Sequence, residues 1–408
     1  MTGDAGLTRC VPARSPRALN PKTDTRYLPA LTGLRFWLAL WVILHHLRGK
    51  GMILEQWEQS LPHIPQSLLR GGYLAVQTFF ILSGFVLARS YASTRWNRQS
   101  LTRFAMARFA RIYPVYLLSL LVVSRFILET LSKPDRTVAQ KAALLGDYGF
   151  ILLGWTGSLN VGWNTPAWSL SCEAFFYLCF PLLFLWLRKG SLPRILTALG
   201  ICMVVPILLN HAGVPAVWKP IHHLSDFLAG IAAAGLYETG WRKVPALRRR
   251  GYLLYSPAIV AAIAFIAHPE VLRGSLADLN TVLRPLNVAL LIGLAFGDGF
   301  LARFLSMRPV EYLGKASYSM YILHVPVLWW FSRYALHLIG PAPHLWNGIA
   351  FLACVVAVSI AAFELVETPA NDWIRNWTAA RLQRRSVSYS RLSATCRQKV
   401  AQALACDS

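Results

Sequence analysis

Charged residues are scarce in this sequence, and acidic residues are the scarcest of them. Asp, Glu, Lys and Arg make up 14% of the 408 residues, and 18 acidic residues stand against 41 basic ones. Hydrophobic residues account for 55% of the chain. This composition is not that of a soluble protein, and it predicts an all-α, polytopic integral membrane protein.

The sequence also lacks the patterns of several other protein classes. Of its seven cysteines, four lie in apolar segments and three in the basic tails, and no pair has the spacing of metal ligands. We therefore expect free thiols and no metal site. The first 27 residues have no apolar core and do not predict a cleavable signal peptide. There is no nucleotide-binding loop, no serine-nucleophile elbow and no internal repeat.

The basic residues are not gathered on one soluble domain, as they would be in a protein that binds nucleic acid. They lie between the apolar segments and in the two tails, which is the pattern left by the positive-inside rule. We therefore predict a lipid bilayer as a partner and no nucleic acid. The predicted organisation is a basic cytoplasmic tail over residues 1–27, a membrane domain over 28–377 and a basic cytoplasmic tail over 378–408.

Eleven apolar segments are candidates for membrane spans. They lie near residues 28–47, 73–91, 112–131, 142–158, 168–187, 194–210, 222–239, 251–268, 280–298, 317–338 and 345–367. A full crossing by 142–158 would place Arg188 and the basic cluster at 248–250 outside, against the positive-inside rule. We therefore predict about ten transmembrane helices, with 142–158 as a re-entrant or interfacial segment on the outer side.

The first span carries ionisable groups that are costly inside a membrane. Arg35 and His46 have ten residues between them, so three helical turns plus about 20° place both on one face, roughly 16 Å apart along the axis. Intramembrane ionisable groups mark functional sites by default. The structural alternative is that Arg35 reaches the inner interface while His45 and His46 lie at the outer one.

Two further clusters allow a functional and a structural interpretation. Arg103, Arg108 and Arg111 recur near helical spacing after the second span, which suits phosphate binding. Orientation by charge and contact with anionic lipid headgroups is the alternative. Within the second span, Ser83 and Gly84 present a small surface, which allows either close helix packing or the passage of a slender ligand.

The span that begins at Trp168 runs from outside to inside in this topology. Trp168, Ser169 and Glu173 are therefore expected at a depth similar to that of His46. Trp163 and Asn164 precede them in a turn rich in Gly, Trp and Asn, which suits sugar binding because a flat ring stacks on a sugar face. For any single Trp, an interfacial aromatic belt is the alternative.

Polar residues late in the chain have more modest expected roles. His324 lies in an apolar segment, where hydrogen bonding between helices is its expected role. Glu367, together with Arg375, is expected to anchor the end of the last span.

Five short patterns follow one another along the chain. They are R-x10-H at Arg35 and His46, F-F-x-x-S-G-F at Phe79 to Phe85, R-x-x-R and I-Y-P at Arg108 to Pro114, W-S-L-S-x-E at Trp168 to Glu173, and S-Y-S-x-Y-x-x-H-x-P at Ser317 to Pro326. In this order they resemble the acyltransferase family 3 membrane proteins, over roughly residues 27–377.

The resemblance implies an O-acyltransferase of the inner (plasma) membrane with both termini cytoplasmic. It implies acetyl-CoA or another acyl-CoA as co-substrate, no permanently bound cofactor, and a glycan or glycoside acceptor outside. The implied catalytic residues are His46 as general base, Glu173 to orient its imidazole, and Arg35. The implied donor-binding residues are Arg103, Arg108, Arg111, Ser83 and Gly84, and the implied acceptor-binding residues are Trp168, Ser169, Trp163 and Asn164.

Several alternatives stay open at this point. His46 could instead act as a nucleophile that forms an acyl-histidine. A transporter or flippase of a glycan or small anionic substrate would also place Arg, His and Glu inside the membrane, although the sequence lacks the paired repeats of such proteins. An inactive relative that acts as a membrane sensor is a third class. Polysaccharide, lipid-linked sugar, peptidoglycan and small glycosides all fit as acceptors.

Overall fold

The computed structural model describes residues 27–48, 52–157, 162–188, 191–239, 244–245, 250–272, 278–335 and 344–384. These residues form helices joined by turns, and no β-strand occurs among them. The predicted all-α class is confirmed for this part of the chain. Most of the predicted N-terminal tail, and residues 385–408 of the predicted C-terminal tail, lie outside the described residues.

Long helices coincide with all the segments that the sequence predicts to span. In the described ranges there are ten, which we number α1 to α10: Pro29–His46, Ala75–Ser90, Arg98–Val122, Trp168–Arg188, Leu192–His211, Leu224–Thr239, Tyr252–Ala267, Leu279–Ala295, Ser317–Trp330 and His344–Ala362.

Five helical stretches within the described residues are long and apolar enough to cross a membrane. They are His63–Ser90, Arg98–Val122, Thr165–Arg188, Leu192–His211 and Leu345–Arg384. The chain is therefore a multi-pass membrane protein, while the total of ten crossings stays a prediction.

Shorter helices connect the long ones. The α-helical and 3₁₀ segments are Glu55–Ser60, His63–Arg70, Gly71–Leu74, Ser124–Ser132, Val138–Gly149, Leu153–Thr156, Thr165–Ala167, Lys219–His222, Pro269–Leu272, Phe300–Leu305 and Arg308–Lys315. Single π turns occur at Phe331–Ala335 and Phe363–Glu367. After the second π turn the last helix continues to Arg384, beyond the predicted boundary at residue 377.

Polar residues define where two of the long helices begin. Asn97 accepts a hydrogen bond from the backbone N–H of Ser100, whose hydroxyl accepts one from the Asn97 N–H, so a capping box starts α3. Asp278 accepts from the N–H of Thr281 at 2.8 Å and caps α8. Because the first N–H groups of a helix lack partners within it, these side chains fix the start of each helix.

Glycines bring α2 and α6 into close contact. A Cβ added at Gly84 would overlap the carbonyl oxygen of Phe227, and one added at Gly230 would overlap that of Ile81. Small residues are what allow two helix backbones to approach this closely in a membrane. The pair forms the centre of the bundle, against which the site residues are placed.

The segment predicted to be re-entrant or interfacial returns into the bundle beside α3. The carbonyls of the last two residues of the helix Val138–Gly149 accept hydrogen bonds from the hydroxyls of Tyr116 (2.6 Å) and Tyr113 (3.1 Å). Tyr113 lies nine residues before the end of α3, which is about 13 Å along its axis. The segment therefore packs into the bundle against the side of α3, and its re-entrant or interfacial position in the membrane stays a prediction.

A third hydroxyl holds the tip of this segment. Ser171 of α4 donates to the carbonyl of Ile151 at 2.6 Å and accepts from the N–H of Gly154 at 3.0 Å. Ile151 itself has a positive φ of 57°, which is uncommon for a β-branched residue. Irregular backbone at membrane depth requires internal partners of this kind, since lipid provides none.

Candidate active site

A cavity of about 350 Å³ follows one face of α2 through the bundle. The α2 residues that line it recur at helical spacing and are Val76, Phe79, Phe80, Ser83, Val86, Leu87 and Ser90. The first and last of these are fourteen residues apart, about 21 Å along the helix axis. The cavity is therefore long and narrow, and it reaches from the Ala75 end of α2 to the Ser90 end.

Three guanidinium groups line this cavity. Arg35 comes from α1, and Arg108 and Arg111 come from α3. The carboxylate of Glu173, from α4, lines the same space, and the positive charges of Arg111, Arg35 and Arg108 act on it. With Ser83 and Ser169, six of the residues predicted for the site thus share one cavity.

Tyrosine rings hold the two arginines of α3 in place. The Arg108 guanidinium lies 5.8 Å from the ring centre of Tyr177, whose hydroxyl donates to Glu173 at 3.0 Å. The Arg111 guanidinium lies 5.3 Å from the ring centre of Tyr318. Attraction between a cation and an aromatic face contributes roughly 0.5–2 kcal/mol at such distances. The rings therefore orient the cations without neutralising them.

Arg111 also has a carboxylate partner that the sequence analysis assigned elsewhere. It forms a salt bridge with Glu367, which is 1% exposed and accepts a 2.6 Å hydrogen bond from the hydroxyl of Ser319. Glu367 ends the π turn of the last helix, and such turns carry an extra residue that redirects the side chains after them. The expectation that Glu367 only anchors a helix end with Arg375 is therefore wrong.

Two buried polar atoms at this cavity have no hydrogen-bond partner among the described residues. They are Nε of Arg108, a donor, and Oδ1 of Asn371, an acceptor. Buried polar groups are normally paired, so such atoms indicate room for water or a ligand. In the described part of the chain, the three guanidinium groups face two carboxylates, Glu173 and Glu367. The cavity is suited to an elongated ligand that carries negative charge.

His46 lies at the Ala75 end of the bundle, and its neighbours fix its tautomer. Its Nδ1 is 2.9 Å from the carbonyl oxygen of Val42, which only accepts, so Nδ1 carries the proton. Nε2 of His324 lies 3.4 Å from the same Nδ1, and the two ring centres are 5.0 Å apart. His324 points its own Nδ1 at the carbonyl of Tyr321, at 2.6 Å. The lone pair of His46 is therefore on Nε2, where it is open to act as a base or a nucleophile.

The contacts give Glu173 a different place from the predicted one. The hydrogen-bonding neighbours of the His46 ring in the described structure are Val42 and His324, whereas Glu173 accepts from Tyr177 within the arginine cluster. The role of orienting the imidazole therefore passes from Glu173 to Val42 and His324. His324 does bridge helices, as expected, because it joins α9 to α1.

Tyr321 links the histidine pair to the cavity. Its side chain lines the cavity, and its ring centre lies 6.0 Å from that of His324. Its hydroxyl donates to the hydroxyl oxygen of Ser169 at 3.0 Å. Arg35 and His46 are eleven residues apart on α1, about 16 Å. The arginines thus line the cavity, whereas the two imidazoles lie beyond Tyr321, outside its lining.

The residues predicted to bind an acceptor separate into two groups. Ser169 lines the cavity, and Trp168 is partly exposed at the start of α4. Trp163 and Asn164 are 2% and 0% exposed. Because protein encloses both side chains, they offer no surface to an acceptor, and their predicted contact with it is corrected to a structural role.

Hydrogen bonds show what that structural role is. The indole N–H of Trp163 donates to the hydroxyl of Thr130 at 3.0 Å. The amide of Asn164 donates to Ser119 at 2.9 Å and to the carbonyl of Ile322 at 3.1 Å. These bonds tie the turn before α4 to α3 and α9.

Two predicted donor-binding residues lie away from the cavity. Arg103 is exposed on α3, and Gly84 faces α6 rather than the cavity that Ser83 lines. The sequence allowed either close helix packing or contact with a ligand passage for Ser83 and Gly84. Gly84 serves close helix packing, and Ser83 lines the cavity.

The sequence analysis did not single out Tyr177, Tyr318, Tyr321 or Asn371 as site residues, although all four line the cavity. Tyr177 follows the W-S-L-S-x-E pattern, and Tyr318 and Tyr321 belong to the same late pattern as His324, so spacing carried a signal for them. Asn371 carried none. Among the described residues, no group of three or more His, Cys, Asp or Glu could hold a metal ion.

A charged cavity inside an apolar helix bundle, with paired imidazoles beside one of its tyrosines, is the candidate active site of a multi-pass membrane protein. The chain belongs to the family described as "Acyltransferase domain", whose sequence model matches residues 28–364. The predicted family is confirmed, and the protein is by class an acyltransferase.

Named relatives agree with this class. The chain is 30% identical to the acyltransferase MdmB of Streptomyces mycarofaciens, over 84% of this chain and 90% of that one. It is 25% identical to the O-acetyltransferase OatA of Staphylococcus aureus and 24% identical to the peptidoglycan O-acetyltransferase OatA of Listeria monocytogenes, over 86% and 84% of this chain. The matched region covers only 58% and 56% of those two OatA chains. No solved structure matches the chain.

Proposed function

We propose that the protein moves an acyl group, in the simplest case acetyl, from acyl-CoA in the cytoplasm to a hydroxyl group of an extracytoplasmic, carbohydrate-type acceptor. The observation that carries the proposal is the single cavity along α2, with arginines along its length and the His46–His324 pair beyond Tyr321 at its far end. A donor and an acceptor on opposite sides of a membrane can react only through such a passage.

The proposed orientation places the Ser90 end of α2 at the cytoplasm and the Ala75 end outside, in the inner (plasma) membrane. The distribution of basic residues supports it, because it puts most of them on the cytoplasmic side and both termini there as well. His46 and Trp168 then lie at the outer side.

The size of the cavity supports a division of the donor into two parts. Ligand sites usually measure about 300–1,000 Å³, so 350 Å³ is enough for a slender arm but not for a whole coenzyme. We assign the pantetheine arm to the face of α2 that carries Ser83, and the phosphates to the cytoplasmic mouth beside Arg108 and Arg111. The unpartnered Nε of Arg108 supplies a charge-assisted hydrogen bond there.

The reaction needs one proton transfer and one exchange of bonds. The acceptor hydroxyl gives up its proton, its oxygen bonds to the thioester carbonyl carbon, the carbon–sulfur bond breaks, and CoA leaves as the thiol. Nε2 of His46 serves as the general base, or first takes the acyl group itself as an acyl-histidine. Arg35, beside Glu173, holds the donor in line for either route.

The names of the relatives support a carbohydrate acceptor. One of them is named a peptidoglycan O-acetyltransferase. A sugar hydroxyl is uncharged at neutral pH and needs a base for attack, which an imidazole supplies.

The test is acetyl-CoA binding and thioester hydrolysis by the full-length protein in lipid nanodiscs. We expect Arg108→Ala/Arg111→Ala to lose donor binding, since each charge-assisted hydrogen bond contributes about 1.5–3 kcal/mol, roughly tenfold to a hundredfold in Kd. We expect His46→Ala to bind the donor but lose turnover. The exposed Arg103→Ala is the matched control and should bind like the wild type.

A wild-type protein that neither binds nor hydrolyses acyl-CoA would contradict the donor assignment. Uptake of a glycan into vesicles without acyl-CoA would point to the transporter class instead. If Arg103→Ala lost as much acetyl-CoA binding as the double variant, donor binding would depend on the overall basic charge and not on the cavity.

A further inference from the structure

A second histidine at the Ala75 end of the bundle is held by a carboxylate. Nδ1 of His223 lies 2.8 Å from Oδ2 of Asp226. An ionised carboxylate only accepts hydrogen bonds, so the proton of the neutral ring is on Nδ1 and the lone pair on Nε2. This is the arrangement in which a carboxylate fixes the tautomer of a general base.

The carboxylate itself is held rigidly from behind. Oδ1 of Asp226 accepts from Nε of Arg284 at 2.7 Å and from the amide of Gln77 at 3.0 Å. Arg284 also donates to the carbonyl of Cys202 at 2.7 Å. Asp226 is 1% exposed and Arg284 is 3% exposed. The Asp226–Arg284 pair is complete without the histidine, and it leaves Oδ2 to His223.

His223 is open toward the predicted acceptor region. Its side chain is 21% exposed, and its ring centre lies 5.5 Å from that of Trp168 and 5.2 Å from that of Phe80. Phe80 lines the cavity along α2. The Nζ of Lys219 lies 4.7 Å from the Trp168 ring centre. Lys219 and His223 therefore border the same indole, and His223 also lies beside Phe80 of the cavity wall.

The two histidine sites differ in what supports a positive charge. Nδ1 of His46 faces a neutral carbonyl oxygen and a second imidazole, whereas Nδ1 of His223 faces a carboxylate. A base becomes a cation when it accepts a proton, and a neighbouring carboxylate stabilises that cation. We infer that His223 is the general base that removes the proton from the acceptor hydroxyl, with Asp226 as its positioning residue. This inference rests on the proposed acyl transfer.

The step that follows is balanced. The acceptor O–H bond breaks and its proton goes to Nε2 of His223, while the acceptor oxygen bonds to the acyl carbonyl carbon. His223 then releases the proton to the outer solvent. The acyl group reaches this step on Nε2 of His46, which has taken it from the thioester as the carbon–sulfur bond broke and CoA thiolate took up a proton from solvent. As the acceptor oxygen bonds to the acyl carbon, the bond between that carbon and Nε2 of His46 breaks, and His46 returns to its neutral form with its proton on Nδ1.

The experiment compares two nucleophiles with acetyl-CoA as donor, using the full chain in lipid nanodiscs. Glycerol is the hydroxyl probe and needs a base. Hydroxylamine attacks through a nitrogen lone pair and needs none. We expect His223→Gln to lose transfer to glycerol by about 10²–10⁴-fold and to keep transfer to hydroxylamine. His222→Gln is the matched control, since Nε2 of that neighbouring ring lies 3.3 Å from the carbonyl oxygen of Pro215.

Each outcome decides between the assignments. Loss of both products in His223→Gln and in His223→Ala, with acetyl-CoA binding and thermal unfolding unchanged, overturns the base role. Unchanged transfer to glycerol in His223→Gln also overturns the base role. The same holds if hydroxylamine is acetylated by His46→Gln but not by His223→Gln. A wild type that makes neither product contradicts the proposed function as well.

Discussion

Two clusters of buried charge in the described part of the chain are built in opposite ways. Around Asp226 and Arg284, the described contacts satisfy the carboxylate and the guanidinium with 2.7–3.0 Å hydrogen bonds. Around Arg108, a guanidinium nitrogen and a nearby amide oxygen are buried without partners, beside an open cavity. A complete network stabilises a fold, whereas an incomplete one is costly unless something binds there.

The two clusters also lie on different helices. We call the Asp226–Arg284 cluster the closed cluster and the arginine cluster at the cavity the open cluster. The closed cluster joins α2, α6 and α8, and the open one joins α1, α3 and α4. Helix α2 contacts both, through Gln77 in the closed cluster and through Ser83 in the cavity wall beside the open one. The helix that lines the passage is thus held by the rigid cluster.

The largest expected effect is on the closed cluster. Arg284→Met leaves Asp226 buried without its charge partner, and we expect a loss of about 3–5 kcal/mol in the free energy of unfolding. Thermal unfolding in detergent measures it. The double variant Arg284→Met/Asp226→Leu should recover most of the loss. A single variant as stable as the wild type would mean that the cluster is not a scaffold.

The next effect concerns the two neighbours in the second span. Gly84→Ala forces a methyl group against the Phe227 carbonyl, and we expect it to destabilise the protein by about 1–3 kcal/mol. Ser83→Ala removes a hydroxyl that borders the cavity and bonds to Tyr177, and it should change stability by no more than about 1 kcal/mol. Equal unfolding temperatures for the two variants would contradict the assignment of Gly84 to helix packing and of Ser83 to the cavity wall.

The smallest expected effect comes from removing a negative charge from the open cluster. Glu367→Gln removes the carboxylate that pairs with Arg111 and raises the positive charge at the cavity. We expect acetyl-CoA to bind more tightly, by roughly two- to fivefold, the equivalent of about 0.5–1 kcal/mol. Isothermal titration at two salt concentrations measures it. Weaker binding would show that Glu367 positions Arg111 for the donor instead of competing with it.

Much of the architecture could be predicted because membrane spans are encoded by composition. The ten apolar segments chosen by hydropathy and basic residues all coincide with long helices. Arg35, Arg108, Arg111 and Glu173 converge as expected, since ionisable groups inside a membrane turn toward the protein interior.

The pairings within the site could not be predicted in the same way. A helix that is apolar on all sides does not show in its sequence which side faces a given neighbour. His324 therefore gave no sign of meeting His46, nor Glu367 of meeting Arg111. Trp163 carried the composition of a sugar site, and only its hydrogen bond to Thr130 shows that it is a structural residue.

The segment after α3 that was predicted to be re-entrant or interfacial also constrains the order in which the chain can be assembled in the membrane. Its backbone depends on Tyr113 and Tyr116, which are synthesised before it, and on Ser171, which is synthesised after it. Lipid offers no substitute for these hydroxyl groups. We expect the segment to stay outside the helix bundle until α4 has been inserted. This part of the enzyme then completes its fold only after the helices before and after it in the sequence are in place.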